Sequence, residues 1–307
     1  MVKKNINIKY PLVLDGGLSN QLDSQGCDLN HRLWSARLLE TDPQAIKQAH
    51  QAYLEAGARC IITSSYQASV PGFMTLGHDR ASAEAFIRKS TALAREAVND
   101  FISAHPDQNL PLVAASIGPY GAYLADGSEY RGNYGLPDEE LVAFHRPRIR
   151  LLETTEADFF ACETIPSFQE ARILGEILTQ TEKPAWISFS CRDERHLNDG
   201  SSLRECAAVF AFHPRIFAIG VNCTAPKYIS PLIRIIKDVS GDKRVVVYPN
   251  SGEVYNAASK TWSGTSDPSF FRQMVREWLD LGADIIGGCC RMGPEAIRAI
   301  ARVIHGQ

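Results

Sequence analysis

Short apolar runs recur along the chain, each followed by a turn and then by a stretch whose apolar positions return with helical spacing. Eight runs stand out: Pro11 to Leu14, Cys60 to Thr63, Leu112 to Ser116, Asp158 to Cys162, Ala185 to Phe189, Phe217 to Val221, Arg244 to Tyr248 and Asp284 to Ile286. Several are apolar without alternation, as expected of parallel strands covered on both faces. Helices are predicted between them. Asp42-Pro43 opens AIKQAHQAYLEAGA, which Gly57 ends, and a second helix spans Ala81 to Ser103. A third runs from Pro137 to Thr154 with Asp138, Glu139 and Glu140 in its first turn, and others begin near Ser167, Ser202, Pro226, Asp267 and Pro294.

Eight strand–helix alternations predict an α/β fold, a (β/α)8 TIM barrel forming one domain over residues 1–307. A doubly wound open sheet is the alternative, because periodicity does not reveal closure. The phrases LEAGARC and LDLGADI, beginning at Leu54 and Leu279, each end a helix on Gly and enter a strand, the αβ turn of a barrel. Two connections are long: Gly16 to Thr41, which includes Cys27, His31 and Trp34, and Gly118 to Leu136, reading GPYGAYLADGSEYRGNYGL. Both follow strands, on the face where barrel active sites sit, and long loops there act as lids or substrate walls.

Composition narrows the class. With 307 residues, 45% hydrophobic and 22% charged, the chain has the makeup of an ordinary soluble protein, and a formal charge of −3 gives no reason to expect a nucleic-acid partner. The amino-terminal segment lacks the apolar stretch of a signal peptide, and no run approaches a membrane span, so a cytoplasmic protein is expected, as a monomer or weak homo-oligomer. The eight cysteines are not needed as staples at this length; Cys60, Cys162 and Cys223 lie in strand-like runs, and reduced thiols are expected.

The candidate chemistry lies at the strand ends. The eighth run leads into Gly287-Gly288-Cys289-Cys290-Arg291, and the sixth into Asn222-Cys223. Strands six and eight flank strand seven, so their carboxyl ends can converge, and the two glycines permit a bent backbone turning both cysteines toward one ion. Three soft thiolates suit Zn²⁺ and leave a fourth tetrahedral position for a substrate. The alternative is that Cys289-Cys290 and Cys223 are buried filler.

Asp15 follows strand one, Ser64, Ser65 and Tyr66 follow strand two, and Glu163-Thr164 ends strand four. A carboxylate directly after a buried run needs a partner, so Asp15 and Glu163 are candidates to receive a substrate cation, or else cap a turn or pair with an arginine. Asn250-Ser251-Gly252 reads as a turn or a substrate wall. His145 falls within a helix, and His31, His78, His105 and His196 lack metal-ligand spacing. No GxGxxG or P-loop indicates a nucleotide.

Asp15-Gly16-Gly17, Cys162-Glu163-Thr164-Ile165-Pro166, Gly220-Val221-Asn222-Cys223 and the terminal GGCCR together resemble the homocysteine S-methyltransferase family over nearly the whole chain. SIGPYGAYLADGSEYRGNYG and VYPNSGEVYNAASKTW resemble its stand-alone branch, which uses S-methylmethionine. The resemblance implies zinc on Cys223, Cys289 and Cys290, homocysteine bound through its sulfur, Asp15 and Glu163 on its amino group, and Ser64 and Ser65 at the carboxylate-binding turn. Asn222 is also placed among the substrate-binding residues. Ser64-Ser65-Tyr66 departs from the Asn-Thr-Phe-like wording of other branches. The segment after GGCC is too short for cobalamin or folate modules, so S-methylmethionine is the expected donor, S-adenosylmethionine a slower one, and betaine or methyl-folate inactive. Tyr120, Tyr123, Tyr130 and Tyr134, with Asp126 and Glu129, lie in the Gly118 to Leu136 loop, where they can attract a sulfonium or simply pack the loop down. A zinc hydrolase and a non-catalytic barrel are the rival classes; neither a general-base partner nor a second metal cluster supports the former.

Overall fold

The computed structural model describes residues 8–256, 261–263 and 268–306. All eight runs form parallel strands: β1 Leu12–Val13, β2 Cys60–Ile62, β3 Leu112–Ile117, β4 Phe159–Ile165, β5 Ala185–Phe189, β6 Ile216–Asn222, β7 Arg244–Tyr248 and β8 Ile285–Ile286. Their order is β1-β8-β7-β6-β5-β4-β3-β2. A parallel bridge between Leu14 and Cys60 joins β1 to β2 and closes the ring, so the sheet is a (β/α)8 barrel and not an open one.

The period-two pleat sorts side chains into two cores. One parity points inward and fills the barrel with Leu12, Leu14, Cys60, Ala114, Phe159, Ala161, Trp186, Ala218, Val246, Tyr248 and Ile285. The other parity, with Val13, Ile61, Val113, Phe160, Ile187, Ile219, Val247 and Ile286, packs against the surrounding helices. Those helices are Pro43–Glu55, Arg80–Ala104, Asp138–Glu153, Phe168–Leu178, Leu203–Ala208, Ile229–Val239, Pro268–Asp280 and Pro294–His305. Asp42 caps the first, its carboxylate accepting from Ala45 N, and Ser167 and Ser202 likewise cap theirs. The start expected at Asp267 and part of the VYPNSGEVYNAASKTW phrase lie outside the described residues.

The long connections carry short elements of their own. Gly16 to Thr41 holds helix Leu18–Ser24, the 3₁₀ turn Trp34–Arg37 and Leu38–Thr41; Gly118 to Leu136 holds helix Tyr120–Leu124 and the 3₁₀ turn Ser128–Tyr130. After β7 a small antiparallel hairpin pairs Val254–Asn256 with Thr261–Ser263. Among the described residues no helix is long and apolar enough to cross a membrane.

Candidate active site

The inward parity that fills the barrel with apolar groups turns polar at the carboxyl ends. Ser116, Glu163, Ser188 and Asn222 stand there, all buried, above the floor made by Trp186 and Tyr248. Trp186 Nε1 donates to the Tyr248 hydroxyl (3.1 Å), which lies 2.6 Å from Ser188 Oγ. Polar atoms thus replace carbon only where the strands open toward their loops.

Cys223 follows β6, and Cys289 and Cys290 follow β8; their three Sγ atoms lie within 4.8 Å of one another. Among the described residues this is the one cluster of three or more metal-ligating groups. Gly287 and Gly288 make the approach possible in a way not anticipated from sequence. A Cβ on Gly287 would meet Leu14 Cβ at 2.5 Å, and one on Gly288 would meet Met292 Cβ at 2.3 Å. The glycines therefore serve close packing against β1 and the following turn, while the left-handed backbone falls on Arg291 (φ 65°). Cys223 is itself left-handed (φ 48°), as is Thr164 (φ 60°) at the end of β4. Such non-glycine conformations cost about 1–3 kcal/mol each and concentrate at functional sites.

Asn222 fixes this turn. Its Oδ1 accepts from Thr164 N (2.7 Å) and Ser188 Oγ (2.8 Å), and its Nδ2 donates to Thr164 Oγ1 (2.7 Å) and toward Cys289 Sγ (3.9 Å). Cys223 and Cys290 Sγ are 3.6 Å apart, and the Tyr130 hydroxyl lies 3.4 Å from Cys223 Sγ. Hydrogen bonds from Cys289 and Cys290 hold the Cys223 thiol well below its ordinary range, and the same contacts with Cys223 push the other two up. One thiolate is readily formed; further ionisation meets the first charge. Tetrahedral zinc with Zn–S of ~2.3 Å would set its sulfurs roughly 3.8 Å apart, close to the observed spacing, and three thiolates are the soft donor set such an ion takes.

Beside the thiols stand two buried carboxyls that have no ion-pair partner among the described residues. Asp15 Oδ2 accepts from Ile62 N (2.8 Å), while its Oδ1 is buried without a partner. Glu163 accepts from Ser116 Oγ and from the Tyr248 hydroxyl. Burial drives both acids up, Glu163 to about 7, and the Glu163 charge raises Asp15 further. The two serines after β2 differ. Ser65 Oγ donates to Ser116 O (2.7 Å) and meets Thr63 Oγ1 (2.7 Å), whereas Ser64 Oγ is buried without a partner. Asp15 Oδ1 and Ser64 Oγ are therefore two polar atoms left available to a ligand.

The Gly118 to Leu136 loop reaches the thiol cluster at Cys223. Tyr120 packs against Tyr123, Tyr134 and Phe144, and Tyr123 against Phe144, at ring separations of 5.0–5.5 Å, which holds the loop down, while the Tyr130 hydroxyl reaches Cys223. One carboxylate secures both ends: Glu170 Oε1 accepts from Tyr120 N (2.5 Å) and His145 Nε2 (2.8 Å), and its Oε2 from the Tyr134 hydroxyl (2.9 Å). Arg148 donates to Gly118 O (2.5 Å) and to His145 Nδ1 (3.2 Å). Burial lowers the His145 pKa, consistent with a neutral ring donating through Nε2 and accepting through Nδ1. The sequence named Tyr130 only as one of four loop tyrosines and Asn250, whose side chain hydrogen-bonds Cys223, only as part of a turn or substrate wall; the Glu170 network was not singled out.

Comparison with known proteins agrees with this geometry. The family model described as homocysteine S-methyltransferase matches residues 12–304. The chain is 46% identical to homocysteine S-methyltransferase YbgG of Bacillus subtilis over 95% of this chain and 94% of that one, and 44% identical to homocysteine S-methyltransferase of Escherichia coli over 94% of each. Its structure is similar to the metallated form of the Escherichia coli homocysteine methyltransferase MmuM, with a TM-score of 0.86 at 41% identity, covering 95% of this chain and 96% of that one. The chain belongs to the homocysteine S-methyltransferase family.

Proposed function

We propose that this protein transfers a methyl group from a sulfonium donor, S-methylmethionine in preference to S-adenosylmethionine, to the thiol of homocysteine, with zinc held by Cys223, Cys289 and Cys290. The observation that carries the reading is a soft three-sulfur cluster beside two buried carboxyls with no cation of their own among the described residues. Zinc there would supply the Lewis acidity that favours the thiolate form of an acceptor reaching its open position.

The chain's own residues supply the rest. Asp15 and Glu163 receive the acceptor's ammonium; a cation there restores the charge that burial suppresses on both acids. Ser64 Oγ offers a hydrogen bond to its carboxylate, and Asn222 holds Thr164 and Cys289 in place. The loop under Tyr130 excludes water and fixes the donor's line of approach. The acceptor sulfur forms a bond to the methyl carbon as the donor's S–CH₃ bond breaks, its electron pair returning to the donor sulfur. A cation and a thiolate become two neutral thioethers, which a pocket of low polarity favours. S-methylmethionine then yields methionine from both reactants. The reading extends to a cytoplasmic protein.

Product analysis with homocysteine and each donor, at fixed homocysteine, tests this. The highest kcat/KM is expected for S-methylmethionine, a lower one for S-adenosylmethionine, and none for betaine or methyl-folate. A preference for betaine overturns the donor assignment, and full activity in metal-free protein overturns the zinc.

A further inference from the structure

Two acids of the Gly118 to Leu136 loop have separate fates. Asp126 is exposed and already engaged, accepting from Ser128 N (2.9 Å) and pairing with Arg131 (3.4 Å). Glu129 turns inward. Its Oε2 is buried and has no hydrogen-bond partner, and no ion pair involves it among the described residues. Its backbone is fixed on the neighbouring helix: a Cβ on Gly121 would stand 2.3 Å from Glu129 N, so the 3₁₀ turn sits directly on the Tyr120–Leu124 backbone. The next residue, Tyr130, touches Cys223 Sγ at 3.4 Å, and the Glu129 carboxylate itself is near enough for the Cys223 charge to act on it. The carboxylate is close enough for its charge to act on Tyr66, after β2, and on Tyr134 across the loop. Arg131, the nearest cation in sequence, bonds Asp126 and Ser128 Oγ (2.8 Å); its charge reaches Glu129 but makes no ion pair with it.

Resting on the functional reading above, we propose that Glu129 is the specificity residue for the methyl donor, receiving the charge of its sulfonium. The acceptor's ammonium has its own pair of acids in Asp15 and Glu163, on the barrel strands below. Glu129 comes instead from the Gly118 to Leu136 loop, and its charge and that of Cys223 act on one another. Burial raises the Glu129 acid to about 7, with Cys223 adding to the effect, so a fixed cation in the pocket gains from ionising it. A thioether product carries no such charge and loses the attraction, which assists release.

The test compares the wild type, Glu129→Gln and Glu129→Asp at saturating homocysteine. Two constants are measured: KM for S-methylmethionine and Ki for methionine as an inhibitor competing with the donor. Methionine carries the same ammonium and carboxylate but a neutral sulfur. The KM should rise about tenfold in Glu129→Gln and less in Glu129→Asp, the size of one lost charged contact, while the methionine Ki stays unchanged. Zinc content and homocysteine KM should match the wild type, showing an intact site. An unchanged donor KM overturns the proposal, and so does an equal rise in methionine Ki, which would put the carboxylate on the ammonium. A wild type that accepts no sulfonium donor sinks the functional reading and this one with it; a wild type that does, with an unaffected Glu129→Gln, sinks only the role of Glu129.

Discussion

Removing the Glu170 carboxylate is the sharpest perturbation of the loop that does not touch the thiols. Glu170 and His145 are fully buried and Arg148 nearly so. In Glu170→Ala, the Tyr120 amide, the Tyr134 hydroxyl and His145 Nε2 all lose their acceptor, and the Arg148 guanidinium loses the nearby negative charge. Breaking a buried charged network by deleting one member typically costs about 3–5 kcal/mol. Glu170→Gln keeps the shape and one oxygen, and should cost roughly 1–2 kcal/mol. Urea unfolding at pH 7 and fixed zinc concentration measures both, since a bound ion contributes to apparent stability. The functional consequence follows from where the loop ends: both attach to this one side chain, so donor KM should rise about three- to tenfold in Glu170→Ala while zinc stoichiometry is retained. An alanine variant within about 1 kcal/mol of the wild type would refute the clamp. A variant destabilised as expected but with unchanged donor KM would separate the loop's position from donor binding.

Serine at Cys223, Cys289 or Cys290 should each remove the metal and methyl transfer while far-ultraviolet circular dichroism shows a folded barrel; serine at the other five cysteines should leave metal content unchanged. Glu163→Gln and Asp15→Asn should raise homocysteine KM by about tenfold with zinc still bound, because binding lost equally from ground and transition states appears in KM. In chelated protein, Glu163 also has a pH signature. Its folded pKa of about 7 exceeds the ordinary 4.5, so its contribution to stability is present below pH 4.5 and lost as pH rises through 7. Wild type should lose up to about 3 kcal/mol relative to Glu163→Gln between those limits, measured by urea unfolding at each pH.

The strands were legible because burial on both faces leaves unbroken apolar runs, and the helices because Asp42, Ser167 and Ser202 announce their caps. Closure was not, since it rests on one bridge between Leu14 and Cys60 that no periodicity encodes. The cysteines and carboxyls could be read because charge and soft sulfur at the ends of apolar strands demand a reason. Tyr130 could not be told from Tyr120, Tyr123 and Tyr134, which differ only in the direction the folded loop gives them. Glu170 was hidden by its own spelling: Ser167 and Glu170 have the spacing of a capping box, and Ser167 Oγ does accept from Glu170 N (3.3 Å). Its carboxylate, however, leaves the cap for the loop. Ser64 and Ser65 are equivalent in sequence, and only the proximity of Ser116 O distinguishes the engaged hydroxyl from the one left open.

The barrel's seam has a bearing on how the protein is made. β1 pairs with β8 through Leu12–Ile285 and Val13–Ile286, and just beyond that pairing Gly288 N donates to Asp15 O (3.0 Å). The first and last strands of the barrel therefore bring together the acid after β1 and the two cysteines after β8, which are separated by most of the chain. Contacts of such sequence separation form late, once the loop-closure entropy of the intervening chain has been met. The three sulfurs come from the neighbouring strands β6 and β8 on either side of β7, so what waits for the ring to shut is the meeting of the Asp15 carboxyl with that cluster. A site with both its sulfurs and its acid thus marks a finished barrel.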